Sequence, residues 1–291
     1  MDIKIKLKNL LSALIFLISA ILTVIVVVAP LCIIYGLVSE QLESYGFNYG
    51  AMLYGSGGIA YLVFVLLYVC RTKYRPQLQA VTTWKKHGVQ IMLALAAGML
   101  CKATVYAVSC RISPDMVIKV WREYDSLQAY LTTHLKPEPV VTFLFVVIIG
   151  PITEELLCRF HLGQHFEQDF SPPFTAVLSA FIFAMLHFDT TALGFITHLI
   201  TGLFLYLLYC KTSSLLCAIA AHMGMNIYID VCSDFNISSF VTSIPYTIIT
   251  SCLMIAVVAL LIFCPNRLPF RMESSESPAD SFTSKNNEGD T

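Results

Sequence analysis

Charge is what this chain has least of: Asp, Glu, Lys and Arg make up 13% of its 291 residues, against about 25% in soluble domains. The net charge is −1 and no basic patch is present, so nothing supports a nucleic-acid partner, which would need clustered Lys and Arg. Glycine-rich phosphate loops and internal repeats are absent too, which removes P-loop chemistry and solenoid architectures. Ten cysteines look numerous, yet none forms a Cys-x-x-Cys pair. Cys32, Cys70, Cys101, Cys110, Cys158, Cys210, Cys217, Cys232, Cys252 and Cys264 fall in or at the ends of apolar runs. There they read as buried thiols packing as small hydrophobes, with a Cys110–Cys232 bridge left open.

Long apolar runs are abundant instead. Hydrophobic residues reach 57% and mean hydropathy is +0.72. At about 20 residues per bilayer crossing, eight membrane helices are predicted, over roughly 9–38, 51–70, 88–110, 139–164, 174–190, 191–209, 214–232 and 244–264. The expected fold class is therefore an all-α polytopic membrane bundle. Lys4, Lys6, Lys8, Arg71, Lys73, Arg75, Lys85, Lys86, Lys211, Arg267 and Arg271 all fall on one side of such a bundle. By the positive-inside rule both termini are expected in the cytoplasm. The first run is too long for the core of a cleaved signal peptide and reads as a retained anchor.

Four divisions follow. Residues 1–138 hold N-terminal spans and loops, 139–232 the polar spans, 233–271 the last span, and 272–291 a polar, serine-rich tail expected to be disordered. Lys102 either snorkels or faces the bundle. Pro114, Trp121, Tyr124 and Tyr130 suit the loop 111–138 to a membrane surface. Asn236 opens a weak glycosylation triplet, and the last three residues do not form a prenylation box.

The polar spans carry the chemistry. "EELLCR" places Glu154, Glu155 and Arg159 in a membrane helix, where each charge costs about 2.5–3.5 kcal/mol at the helix centre. Glu155 and Arg159, four apart, share a face and can pair. Glu154 points about 100° away and needs another reason. Two further sets lie at comparable depth. "FAMLH" sets Phe183 one turn before His187, and "HMGMN" sets His222 one turn before Asn226. Counted from the cytoplasmic ends, Glu154, His187 and His222 lie roughly 15, 20 and 12 Å deep, so they can meet. His198 sits at a similar depth without a partner at helical spacing and reads as a supporting or structural residue. Tyr206, Tyr209 and Tyr228 read as packing residues.

A carboxylate with an imidazole can deprotonate water. A second imidazole with a carboxamide can hold a developing oxyanion. Together they suit amide hydrolysis inside a membrane. The same Glu154, His187 and His222 could ligate zinc, although the spacing is not His-Glu-x-x-His. A proton-coupled carrier would be expected to show paired repeats or broken helices in both halves, and this chain keeps its polar groups in the fourth to seventh runs. A non-catalytic scaffold or immunity protein is the other alternative.

Taken in order, E-E-x-x-x-R at 154–159, F-x-x-x-H at 183–187 and H-x-x-x-N at 222–226 resemble the CPBP intramembrane protease family of CAAX-prenyl proteases and bacteriocin-processing enzymes, also called Abi. The resemblance covers about residues 139–230. It implies a helical core with a cavity open to cytoplasm and lipid, and a peptide or a prenylated or membrane-associated protein as substrate. By that resemblance Glu154 and His187 activate water, His222 and Asn226 stabilise the oxyanion, and Glu155 with Arg159 orders the site. It further implies a glutamate-type enzyme with no cofactor, zinc being the alternative. The chain departs from the common form at Cys158 before Arg159 and at Phe160–His161 after it, where many members carry an aromatic residue and Arg-Gly.

Overall fold

The computed structural model describes residues 88–112, 144–187, 191–235 and 243–263, with scattered helical positions between 7 and 66. Most of the first two predicted spans, the surface loop beyond Ile112, Asn236 and the tail lie outside the described residues. Among the described residues every element is helical. Three helices are long and apolar enough to cross a membrane: Gly88–Ile112, Ala192–Thr212 and Ile244–Phe263. Pro172–Leu186 and Leu215–Ile229 are shorter apolar helices.

Helix α1 is Gly88–Ile112. A composite helix follows, built from a π-helical segment π1 (Leu144–Ile149), α2 (Gly150–Glu155), a second π-helical segment π2 (Leu156–Leu162) and α3 (Gly163–Glu167). Then come α4 (Pro172–Leu186), α5 (Ala192–Thr212), α6 (Leu215–Phe235) and α7 (Ile244–Phe263). From the third run onward each predicted span coincides with one of these, but the fourth is a broken helix and the fifth stops early, at Leu186.

Local chemistry explains the breaks. Pro151 has no N–H to donate to the preceding turn, and π1 ends immediately before α2, which begins at Gly150. Thr153 compensates by donating its hydroxyl to the carbonyls of Ile149 (3.0 Å) and Gly150 (2.7 Å). Helix α4 opens on extended Ser171 and Pro172–Pro173, residues suited to a helix's first turn because their φ is preset and no donor is lost. Thr191 caps α5 by accepting from the Gly194 N–H at 3.0 Å. Ser213, at φ 50°, closes α5 in the left-handed region, and Ser214 follows at once into α6.

The core is small-residue packing around the composite helix. On α1, Ala94, Ala97, Gly98 and Cys101 are buried and recur at helical spacing, forming one seam against α6. A Cβ on Gly98 would collide with the Ala221 carbonyl, and one on Gly224 with the Leu95 carbonyl. Bare backbone is thus what lets α1 and α6 approach, as small residues do between membrane helices. Gly202 does the same for the α4–α5 pair, where an added Cβ would lie 2.9 Å from Ala180 Cα. Lys102 is partly buried. Cys110 is a free, buried thiol, and the side chain of Cys232 lies outside the described residues.

Candidate active site

The composite helix supplies the carboxylates. Glu155 and Arg159 are fully buried and bonded at 3.0 Å (Oε1 to Nη1). Arg159 also donates through Nη2 to the Gly202 carbonyl at 3.0 Å, and its guanidinium lies 4.5 Å from the centre of the Phe183 ring. A buried charge is tolerated only when paired and hydrogen-bonded. Here α5 supplies a carbonyl and α4 an aromatic face to the shell, while Arg159 Nε donates no hydrogen bond and Glu155 Oε2 accepts none among the described residues.

Glu155 Oε1 takes a second bond, from His222 Nδ1 at 2.9 Å. An ionised carboxylate only accepts, so Nδ1 carries the hydrogen and the Nε2 of a neutral His222 is an acceptor. His187 is fixed in the same sense by the Phe183 carbonyl, 2.8 Å from its Nδ1. Both Nε2 atoms turn toward Glu154, His187 at 3.7 Å and His222 at 3.9 Å from Oε2. Glu154 Oε2 accepts no hydrogen bond from any described residue. Glu154 and His187 side chains stay 30% and 25% exposed, whereas His222 is 4% exposed. Glu154 and His187 are thus the part-exposed side chains of the cluster, while the Oε2 atom of Glu154 is itself buried.

Asn226 is tied down by its amide, Nδ2 donating to the Val146 carbonyl at 2.8 Å. In the π register the donor due to Val146 is residue 151, a proline without N–H, and Asn226 replaces it. One of its two amide hydrogens remains for other use.

Five of the six sequence-predicted site residues, Glu154, Glu155, Arg159, His187 and His222, are thus linked in one cluster, while Asn226, one turn beyond His222, is bonded to the composite helix at Val146, eight residues before Glu154. Residues outside the motifs join them. His198 stacks on His187 with ring centroids 4.1 Å apart and planes at 24°. Ser179, one turn before Phe183, donates to the Cys158 carbonyl at 2.9 Å, which also receives the Gly163 N–H. Ser179 stands one turn before Phe183 in the sequence, but neither its role nor the carbonyls of Val146 and Gly202 are marked by a spacing there. Tyr206 bonds Glu167 at 2.5 Å and Tyr228 bonds Tyr246 at 3.0 Å, both away from the cluster. The departures from the family pattern, Cys158, Phe160 and His161, are 0%, 1% and 2% exposed. Phe160 packs with Leu156, Tyr209, Leu215 and Ala218, so the change is absorbed by the core.

A zinc ion would take Glu154, His187 and His222. Tetrahedral zinc with bonds of about 2.0–2.1 Å holds its donors about 3.3–3.4 Å apart. The separations from Glu154 Oε2 are wider, 3.7 and 3.9 Å. Among the described residues no three His, Cys, Asp or Glu side chains are grouped to hold an ion. The donors as placed do not fit the metal.

The family comparison is specific: residues 136–228 match the model described as Rce1-like, type II CAAX prenyl endopeptidase Rce1-like. That match is consistent with a CPBP family protease. No curated protein and no solved structure matches the chain.

Proposed function

We propose that this chain is an intramembrane endopeptidase that hydrolyses a peptide bond in a membrane-associated or prenylated protein, with Glu154 as the base that activates water. The observation that carries the reading is the convergence of His187 Nε2 and His222 Nε2 on Glu154 Oε2, at 3.7 and 3.9 Å, with both rings oriented by bonds at Nδ1. Two acceptors at the Glu154–His187 separation are bridged by one water that donates a hydrogen to each at about 2.8 Å. Both side chains are part-exposed while Oε2 itself is buried, so the reading has substrate and water approach past the exposed parts of this pair.

Glu154 takes a proton from that water as its oxygen adds to the scissile carbonyl carbon, and His187 orients the attack. Charge then develops on the carbonyl oxygen. His222 can donate to it through Nε2 only as an imidazolium, because Glu155 already holds Nδ1–H. Glu155 suits that state, since its carboxylate lies between Arg159 and His222 and attracts both. The free amide hydrogen of Asn226 is the second donor. The protonated Glu154 next passes its proton to the leaving nitrogen, the C–N bond breaks, and the carboxylate is restored. No step runs through a metal.

The test uses purified full-length protein in liposomes with a farnesylated, carboxyl-terminal CAAX-type peptide. Cleavage is expected for the native chain and in the presence of a chelator, and is expected to be lost in Glu154→Ala, His187→Ala and His222→Ala. Full turnover by Glu154→Ala refutes the role of Glu154, and loss of activity with chelator, restored by zinc, refutes the metal-free route.

A further inference from the structure

Helix α5 contributes none of the three motifs, yet two of its residues one turn apart touch the site. Gly202 offers its carbonyl to Arg159 at 3.0 Å, and His198 lays its ring on that of His187 at 4.1 Å. Both contacts lie along one face of one helix, which is held close to α4 because Gly202 has no side chain at the approach to Ala180. The α5 start is fixed by the Thr191 cap, bonded at 3.0 Å to the Gly194 N–H, one turn ahead of His198.

We infer that His198 is a positioning residue, the aromatic wall that holds the His187 imidazole in the plane from which Nε2 addresses Glu154. The need for a wall follows from where His187 stands. It is the residue that ends α4, so the helix continues on one side of it only. Its Nδ1 bond to the Phe183 carbonyl, 2.8 Å long, is an anchor about which the ring can still swing. The Phe183 ring approaches it at 4.5 Å but inclined by 51°, which leaves rotation about that bond less restrained than a parallel contact does. The His198 ring, at 24°, is the near-parallel one. Near-parallel stacking of this kind fixes a plane, and a misplacement of about 1 Å in a catalytic group can cost on the order of 100-fold in rate.

The inference rests on the peptidase reading for its functional consequence, but its structural content can be read separately. His198→Ala, or His198→Leu if alanine does not fold, is compared with His198→Phe in the full chain in liposomes. Turnover is expected to fall about tenfold in the alanine or leucine variant with KM unchanged, and to return to within about threefold in His198→Phe, which restores a flat ring. Native turnover without the ring overturns the inference, as does a phenylalanine variant as impaired as the alanine one. Should the native chain cleave nothing, the peptidase reading fails, and 15N imidazole NMR of His187 decides the positioning role alone. A single sharp Nδ1–H signal in the native chain and His198→Phe, averaged or broadened in His198→Ala, supports it. The same signal in all three overturns it.

Discussion

Glu154 and Glu155 are chain neighbours in opposite circumstances. Glu155 is sealed in the core, sharing one oxygen between Arg159 and His222 at 3.0 and 2.9 Å. Glu154 is part-exposed and accepts no hydrogen bond at Oε2 from any described residue. Isosteric replacement should therefore separate chemistry from stability. Glu154→Gln is expected to keep the thermal midpoint in detergent while lowering kcat on the farnesylated peptide about 1000-fold, within the range for loss of a general base. Glu155→Gln leaves the Arg159 cation unpaired in a dry core and is expected to destabilise by about 3–5 kcal/mol, read as a lowered midpoint before any activity is measured. Equal midpoints for the two variants would contradict this division. The sequence exposed these letters because side-chain identity and helical spacing are written in it. It could not show that one oxygen of Glu155 serves two donors, since that depends on how far α6 is sunk against the composite helix.

The depth of α6 is an element-scale property, set by a helix with no catalytic residue. Gly98 and Gly224 meet backbone of the opposite helix, and His222 lies between Ala221 and Gly224 in the same contact. Gly98→Ala or Gly224→Ala must push α1 and α6 apart, with an overpacking cost of about 1–3 kcal/mol. Because the shift moves His222 off Glu155, kcat on the farnesylated peptide is expected to fall more steeply than the midpoint, while Gly88→Ala, where an added Cβ meets nothing within 4 Å, is expected to leave both unchanged. Parity of Gly98→Ala with Gly88→Ala in turnover would show that the seam does not set the site. The π-helical register is the other element-scale feature that sequence spacing alone misses. A 3.6-residue count places Glu155 and Arg159 on one face correctly, but it hides the carbonyls that the wider turns release. One of these is the Val146 carbonyl, which Asn226 takes because residue 151 is proline, whereas the Cys158 carbonyl accepts from Ser179 in addition to the Gly163 N–H. Ser179→Ala is expected to cost about 1 kcal/mol for the lost hydrogen bond, with a drop in kcat, as Arg159 follows Cys158 directly. A midpoint and kcat equal to the native values would release Ser179 from that role.

At the scale of the molecule, hydropathy made the membrane class legible because apolar run length is a direct reading of bilayer thickness. It was less informative about where each helix stops, and that is where the site lies. Helix α4 is 15 residues long, about 22 Å at 1.5 Å per residue, against a hydrocarbon core of about 30 Å. The apolar run predicts a fifth span over 174–190. The helix instead begins at Pro172 and ends at His187, since two prolines set its start and the histidine caps its end. If the first turn of α4 lies at one interface, a helix of this length ends short of the other, with His187 at that end beside Glu154. A short helix is accommodated by local thinning of the bilayer, which also shortens the path for water to the Glu154–His187 pair. Turnover is therefore expected to depend on acyl chain length in a way that a deep, lipid-independent pocket would not show. In liposomes of matched headgroup, lengthening the chains from 14 to about 22 carbons should lower kcat several-fold with KM for the farnesylated peptide changed little. A flat response across that series would mean that the end of α4 does not govern access, and that water reaches Glu154 along the α6 side instead.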